Sequence, residues 1–595
     1  MAWAEHGSID AGDWLGYAVL GALVLATVLL SGGASRPERR ALLGLACLIG
    51  LACWAGLSSL WSPVPSLARD EAFLTLFYAI AYAVPLLTLR TPSDRLAATA
   101  TLVAGMASLA LATALQLRFA SNTLDLFDSG RLAFPISYTN AQAAMYLVAF
   151  WPAIALAARR RTHLLLRALG VGAATALLCG WLLAQSKGGM IALVVSTIVF
   201  FWICPARLRV LVPTLIPAAL VAIAFDPLTA PYRAETDQAL RHAIRHGGTT
   251  LLWITAVGAL AGLVYALIDR RTTVSDRVHR LAGYAALAAL AAGIVVGVAM
   301  FFVTVDRPGH WFAKQWNAIK HKPTGAQTTH LLTLGSNRYD YWRVALTEFR
   351  DHPFAGDGAR SFGPVYLQKR HSPETPARAH SLPIEVLMED GIVGLLLLAG
   401  AVGIPLSIAA GRAKRRRVPA AAAFAGGVYW LVHAGGDWIW TFPAVGVPLF
   451  LLLGIGASPD EEALVRRRKA RPGAIVALAV AVLAFTPVWL SAKLTNRGSD
   501  VGSLADLRWA QRLDPLSVEP LIAKASLAPT AAARIPPLEQ AIDKEPRSAP
   551  LQFLLGEAYL DVGRRADAVR ALEEAQRLDP LDPFIRRALQ RARGM

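Results

Sequence analysis

The stretch SNRYDYWRVALTEFRDHPFAGDGARSFGPVYL (residues 336–367), then a basic link, then AHSLPIEVLMEDGIVG (379–394), is the one long polar interval of an otherwise apolar chain. It holds Arg338, Trp342, a turn built on Gly356 and Gly358, and His380, the last just ahead of a new apolar run. Apolar runs of roughly 20 residues recur on both sides of it, each long enough to cross a bilayer. That contrast decides the fold class: all-α, a polytopic membrane helical bundle carrying one large polar loop.

Composition agrees. The 595 residues are 55% hydrophobic and 17% charged, where a soluble chain carries about a quarter charged. Acidic Glu5, Asp10 and Asp13 stand where a cleavable signal would be basic. The net charge of +18 comes mostly in short Arg clusters between apolar runs, as topology signals do, so nucleic acid is not an expected partner. Cys47, Cys53, Cys179 and Cys204 lie in or at the ends of apolar runs, without the spacing of a disulfide framework or zinc site.

The hydropathy pattern predicts about fourteen spans: 12–30, 41–60, 71–89, 96–117, 140–158, 164–184, 189–204, 209–225, 249–268, 281–303, 383–410, 418–435, 442–457 and 473–491. Basic clusters at 36–40, 90–95, 159–161, 207–209, 270–280, 412–417 and 466–471 fall in every second loop. The positive-inside rule then puts both termini and the loop 304–382 outside the cytoplasm. Residues 1–491 read as the membrane domain.

Residues 492–595 read as a second, extracytoplasmic domain, polar and helical in pattern. WAQRLDP (509–515), EQAIDKEP (539–546) and EEAQRLDP (573–580) end alike. Leu555, Gly556, Tyr559, Ala568, Leu572, Ala575 and Pro580 occupy the positions that a tetratricopeptide repeat fills with small, aromatic and apolar residues. A small α-solenoid is expected there; a generic helical cap is the plain alternative.

Several polar residues at outer helix ends could carry chemistry. Asn140, in RLAFPISYTNAQAAMY (131–146), is an N-cap candidate, with or without a substrate role. Lys187, in AQSKGGM (184–190), either binds an anion or snorkels on a tight turn. Arg338 and Trp342, four apart, share a helix face, and an arginine suits phosphate oxygens. Arg343 adjoins them. Ser381 can cap a helix beginning at Leu382, which holds His380 at a helix N-terminus, where the macrodipole favours the neutral imidazole. Glu385 and Glu389 share one face of that helix and either orient the histidine or are solvated.

Together these residues resemble the O-antigen ligase and polymerase superfamily, whose relatives include bacterial O-oligosaccharyltransferases. The resemblance spans about 55–460. His380-Ser381, nine residues, Gly391, two residues, Gly394 fits the family's histidine motif. Arg338-x3-Trp342 followed by HPFAGDG matches the segment before it, and RLAFPISYTNAQAAMY is similar to an earlier outer-loop asparagine motif. Ser186-Lys187-Gly188 departs from the family's Ser-Arg-Gly: lysine keeps the charge but loses the bidentate fork.

The resemblance implies an inverting, metal-independent glycosyltransferase in a bacterial plasma membrane, without cofactor. It would use a polyprenyl-diphosphate-linked glycan donor and a glycan, lipid-anchor or protein hydroxyl acceptor. His380, Arg338 and Lys187 would be catalytic, and Asn140, Trp342, Arg343 and Glu385 substrate-binding. A protein partner could engage the C-terminal repeats. The motifs leave polymerase, ligase and protein O-glycosylase open. A flippase or transporter without catalytic activity is the alternative; it would need paired broken helices and ionisable residues at mid-membrane depth. A membrane-anchored scaffold would need neither so many spans nor an ordered outer loop.

Overall fold

The computed structural model describes residues 3–31, 35, 37–272, 338–414, 418–459 and 472–594, with isolated positions between 277 and 309. Apart from those positions, the expected span 281–303 and the loop segment 304–337 lie outside the described residues.

The described chain is almost wholly α-helical. Its β structure is one hairpin, Phe127–Asp128 against Arg131–Leu132. Among the described residues nine helices are long and apolar enough to cross a membrane: Ala11–Leu30, Arg39–Ser58, Pro65–Thr88, Pro92–Phe119, Thr139–Ala158, Leu164–Ala184, Asp237–Arg271, Leu382–Lys414 and Pro472–Val501. Lys187–Ile203, Val418–Ala434 and Pro443–Ala457 are shorter and apolar, and Arg207–Ile223 bends by 68° into Phe225–Arg233. Each expected span outside 281–303 coincides with one of these helices. The predicted span 249–268 lies inside a longer helix, whose first turns carry the polar DQALRHAIRH.

The segment 141–158 is buried throughout. It is apolar on every side, as a helix surrounded by other helices must be. Small residues let its neighbours close in: an added Cβ on Gly170 would sit 3.0 Å from the carbonyl oxygen of Ala153.

One break positions the site. Leu382–Lys414 is interrupted at Gly391 (φ 65°, ψ −164°). The break frees carbonyls and an amide from the helical ladder, and the HPFAGDG turn takes them up. Asp357 N donates to Met388 O (3.0 Å), Gly358 N to Glu389 O (2.8 Å), and Ile392 N to Pro353 O (2.9 Å). The approach is so close that a Cβ on Gly391 would lie 2.2 Å from Phe354 O. Two sequence motifs thus form one joint.

Six helices follow the last long one: Leu504–Leu513, Glu519–Ser526, Ala531–Lys544, Ala549–Asp561, Arg565–Leu578 and Pro583–Arg593. The acids that close the three similar sequence segments, Asp514, Glu545 and Asp579, are all buried C-cap residues. Each reaches out of its own unit. Asp514 pairs with Arg69. Glu545 accepts from Ser66 Oγ at 3.3 Å. Asp579 takes Arg370 bidentately, at 2.7 and 3.0 Å. The C-terminal helices are therefore tied to the start of Pro65–Thr88 and to the polar loop.

Candidate functional site

The loop begins as an amphipathic helix, Arg338–Asp351. Tyr341, Val344 and Ala345 pack with Phe362, Tyr366 and Met388 in a small apolar cluster of the loop. With that face buried, Arg338 projects from the helix start toward the turn between Val418–Ala434 and Pro443–Ala457. There it donates to Gly436 O and to Asp437 Oδ2, the latter at 3.2 Å.

Asp437 is the hub. It is 1% exposed, and a carboxylate so buried needs every oxygen paired. Tyr138 OH donates at 2.8 Å, Asn140 Nδ2 at 2.6 Å, and the amide of Trp438 at 2.9 Å. Asn140 in turn accepts from Arg131 Nη2 at 2.9 Å, and Arg131 Nε donates to Ala184 O at 3.0 Å. Lys187 heads the helix Lys187–Ile203, capped by Ser186 Oγ, within electrostatic reach of Arg131 and Arg338. The site thus gathers three cations at one end of the bundle, two of them, Arg131 and Arg338, linked to the Asp437 carboxylate. Burial pushes the Asp437 carboxyl up, but Arg338, His380 and His433 outweigh it and hold the group below its ordinary range.

His380 stands at the same end of the bundle, its ring 5.9 Å from that of Trp438 and 5.5 Å from that of Tyr341. Its backbone is left-handed (φ 54°), a conformation a non-glycine residue keeps only when its surroundings impose it. Those surroundings are visible. Trp342 Nε1 donates to Ala379 O at 3.0 Å, and Ser381 Oγ to Gly435 O at 2.8 Å. Glu385 accepts from Ala379 N at 2.8 Å and pairs with Arg378 at 2.8 Å. His380 Nδ1 lies 3.0 Å from Arg378 O. A carbonyl only accepts, so Nδ1 carries the proton and Nε2 keeps a free lone pair. Burial, reinforced by Arg338 and opposed by Asp437, holds the imidazole below its ordinary pKa.

The structure therefore brings Arg338, Lys187, His380, Asn140 and Trp342 to one end of the bundle. It does not bring Arg343 or Glu385 into the group around Asp437. Arg343 pairs with Asp340 at 2.8 Å and donates to Lys369 O at 2.7 Å, bracing the loop on itself. Glu385 is buried against Arg378. Glu71 joins that guanidinium at 3.2 Å, and Glu389 accepts from the amide of Phe362 at 3.2 Å. Neither Glu385 nor Glu389 is solvated, and neither touches the imidazole ring; Glu385 holds the backbone beside it, and Glu389 holds the start of the helix at Phe362. The sequence showed no carboxylate cluster, yet Glu71, Glu385 and Glu389 converge here around guanidinium groups. Asn140 is not a cap: Tyr138 holds the N-cap position, and the Asn140 side chain is spent on Asp437.

Sequence reasoning missed Asp437, Arg131 and Tyr138. Arg131 and Tyr138 lie within the quoted asparagine motif. Asp437 had a weak signal, a lone carboxylate in the turn HAGGDWIW (433–440) between two apolar runs.

Fold and site define a polytopic membrane protein with a cationic pole, a basic imidazole and a braced loop. Residues 246–399, about a quarter of the chain, match the family model described as O-Antigen ligase, and that match supports the resemblance to the O-antigen ligase superfamily. The matched segment contains Arg338, Trp342 and His380 but not Asn140, Lys187 or Asp437. The family supports a membrane glycan ligase- or polymerase-like role, that of a glycosyltransferase-like enzyme, in a multi-pass bacterial inner-membrane protein. No curated protein matches the chain.

Proposed function

We propose that the chain transfers or polymerises a glycan carried on a polyprenyl diphosphate, at the extracytoplasmic face, by a single inverting displacement that needs no metal. The observation that carries this reading is the unprotonated Nε2 of His380 at the same end of the bundle as Arg131, Lys187 and Arg338. An acceptor hydroxyl attacks the anomeric carbon while the bond from that carbon to the phosphate oxygen breaks. His380 Nε2 takes the hydroxyl proton. The diphosphate leaves with both bonding electrons, and Lys187 and Arg338 meet the charge that grows on it. Asn140 and Trp342 act by position: Asn140 links Arg131 to Asp437, and Trp342 supports the backbone beside His380.

The sidedness rests on the basic clusters. Arg159–Arg161 and Arg412 sit at the helix ends remote from His380, which the positive-inside rule assigns to the cytoplasm. The repeat endings support a tetratricopeptide-like reading of the C-terminal helices as a domain of residues 492–595. A partner protein would dock there.

His380→Ala in purified, reconstituted protein should lower transfer from a lipid-linked donor by about a hundredfold or more. Near-normal turnover by a folded variant would sink the assignment. Deleting the gene separates the sub-classes: single lipid-linked units mean polymerase, unmoved long chains mean ligase, and loss of protein glycans alone means O-glycosylase.

A further inference from the structure

A cavity of about 700 Å³ opens at the other end of the bundle. Its lining includes Arg95, Arg159, Arg160, Arg161, Arg209 and Arg412 and, among the described residues, no carboxylate. Leu96, Leu156 and Ile455 give it apolar walls. The helices that build it are the ones that carry the candidate site. Thr139–Ala158 bears Asn140 at one end and lines the cavity at the other. Leu382–Lys414 runs from beside His380 to Arg412, and Val418–Ala434 from the cavity to His433. A 20-residue helix spans about 30 Å, the thickness of a bilayer's hydrocarbon core. The cavity therefore lies one membrane thickness from the candidate site, where headgroups of the opposite leaflet sit.

A topology signal requires arginines in loops. It does not require six of them to line one interhelical cavity. Acids reach two of the six, Glu38 pairing with Arg412 at 2.6 Å and Asp269 with Arg160 at 4.0 Å, and Asp269 is shared with the buried Arg167 at 2.7 Å. Arg159, Arg161 and Arg209 make no side-chain hydrogen bond or ion pair among the described residues. Several are nonetheless built in. Arg412 is buried and donates to Gly456 O at 2.8 Å, and Arg160 donates to the backbone at Asp269 and Thr272. Guanidinium groups above apolar walls at headgroup depth match a phosphate joined to acyl chains.

We propose that this cavity binds an anionic phospholipid of the leaflet remote from His380, headgroup phosphate among the arginines and acyl chains along the apolar wall. The proposal is independent of the catalytic reading.

The test is native mass spectrometry of the full-length protein, exchanged into phosphatidylglycerol or phosphatidylcholine. Phosphatidylglycerol should be retained selectively. The variant Arg159→Gln/Arg161→Gln/Arg209→Gln should need about a hundredfold more phosphatidylglycerol for half occupancy, at about one tenfold step per lost cation or somewhat less. Millimolar inorganic phosphate should not displace the lipid. Equal retention of the two lipids, undiminished binding by the variant, or displacement by phosphate alone would overturn the proposal. Should the triple variant not fold, selectivity in the unaltered chain decides.

Discussion

At the scale of single residues, charged neighbours pull on His380 in opposite directions. Arg338 lowers its pKa and Asp437 raises it, on top of the lowering by burial. A lowered pKa keeps the imidazole neutral at pH values where a free histidine is already protonated. The acid limb of the transfer rate should therefore lie below the ordinary histidine value of about 6.5. Arg338→Gln should move that limb to higher pH and Asp437→Asn to lower pH, read from the residual rates of each variant. A merely structural defect would lower the rate without moving the limb. Asp437→Asn should also cost about a hundredfold in rate, since it loosens Arg338 and Asn140 together. The polar residues in and beside the loop were legible from the sequence because polar side chains stand out in apolar text. Asp437 was not, because its importance lies in four hydrogen bonds made by residues up to 299 positions away, and spacing along a chain carries no trace of those.

At the scale of elements, the Gly391 break and the HPFAGDG turn are two halves of one contact. Gly391→Ala would place a Cβ 2.2 Å from Phe354 O at a backbone φ of 65°, and Gly356→Ala one 2.4 Å from Glu389 O at φ 66°. Each should destabilise by at least about 2 kcal/mol, from left-handed strain plus the clash. Because they open the same joint, the double variant should cost clearly less than the sum. Thermal unfolding in detergent of the two single variants and the double variant checks both statements. The apolar runs were legible nearly residue by residue, since twenty apolar residues have few ways to be placed. The joint was not. A glycine pair and a distant glycine in a histidine motif look like separate turns until the backbone groups they satisfy are known. The break lies ten positions into its helix, at the loop end, closed by loop backbone. The transport alternative called instead for paired breaks at mid-membrane depth.

At the scale of the whole molecule, the C-terminal helices are fastened to the rest through Asp514, Glu545 and Asp579. The Arg370–Asp579 pair is the most buried: both side chains are at most 5% exposed. Removing one partner strands the other charge, so Asp579→Ala should destabilise by about 3–5 kcal/mol, whereas Arg370→Met/Asp579→Leu should recover most of that loss. Hydrogen exchange across 362–380 is the readout; equal protection in all three proteins would contradict the coupling. The recurring acid before proline was visible in the sequence as a repeat signature, but its outward reach was not, because a repeat pattern reports only on packing within the array. The fastening also has a timetable. Arg370 and Asp579 are 209 residues apart, and at about 5–20 residues per second the ribosome releases the second roughly 10–40 s after the first. For that whole interval the nascent chain is threading into the bilayer with its latch unfastened. The segment bearing His380 thus sets only once Asp579 has emerged, long after its own synthesis.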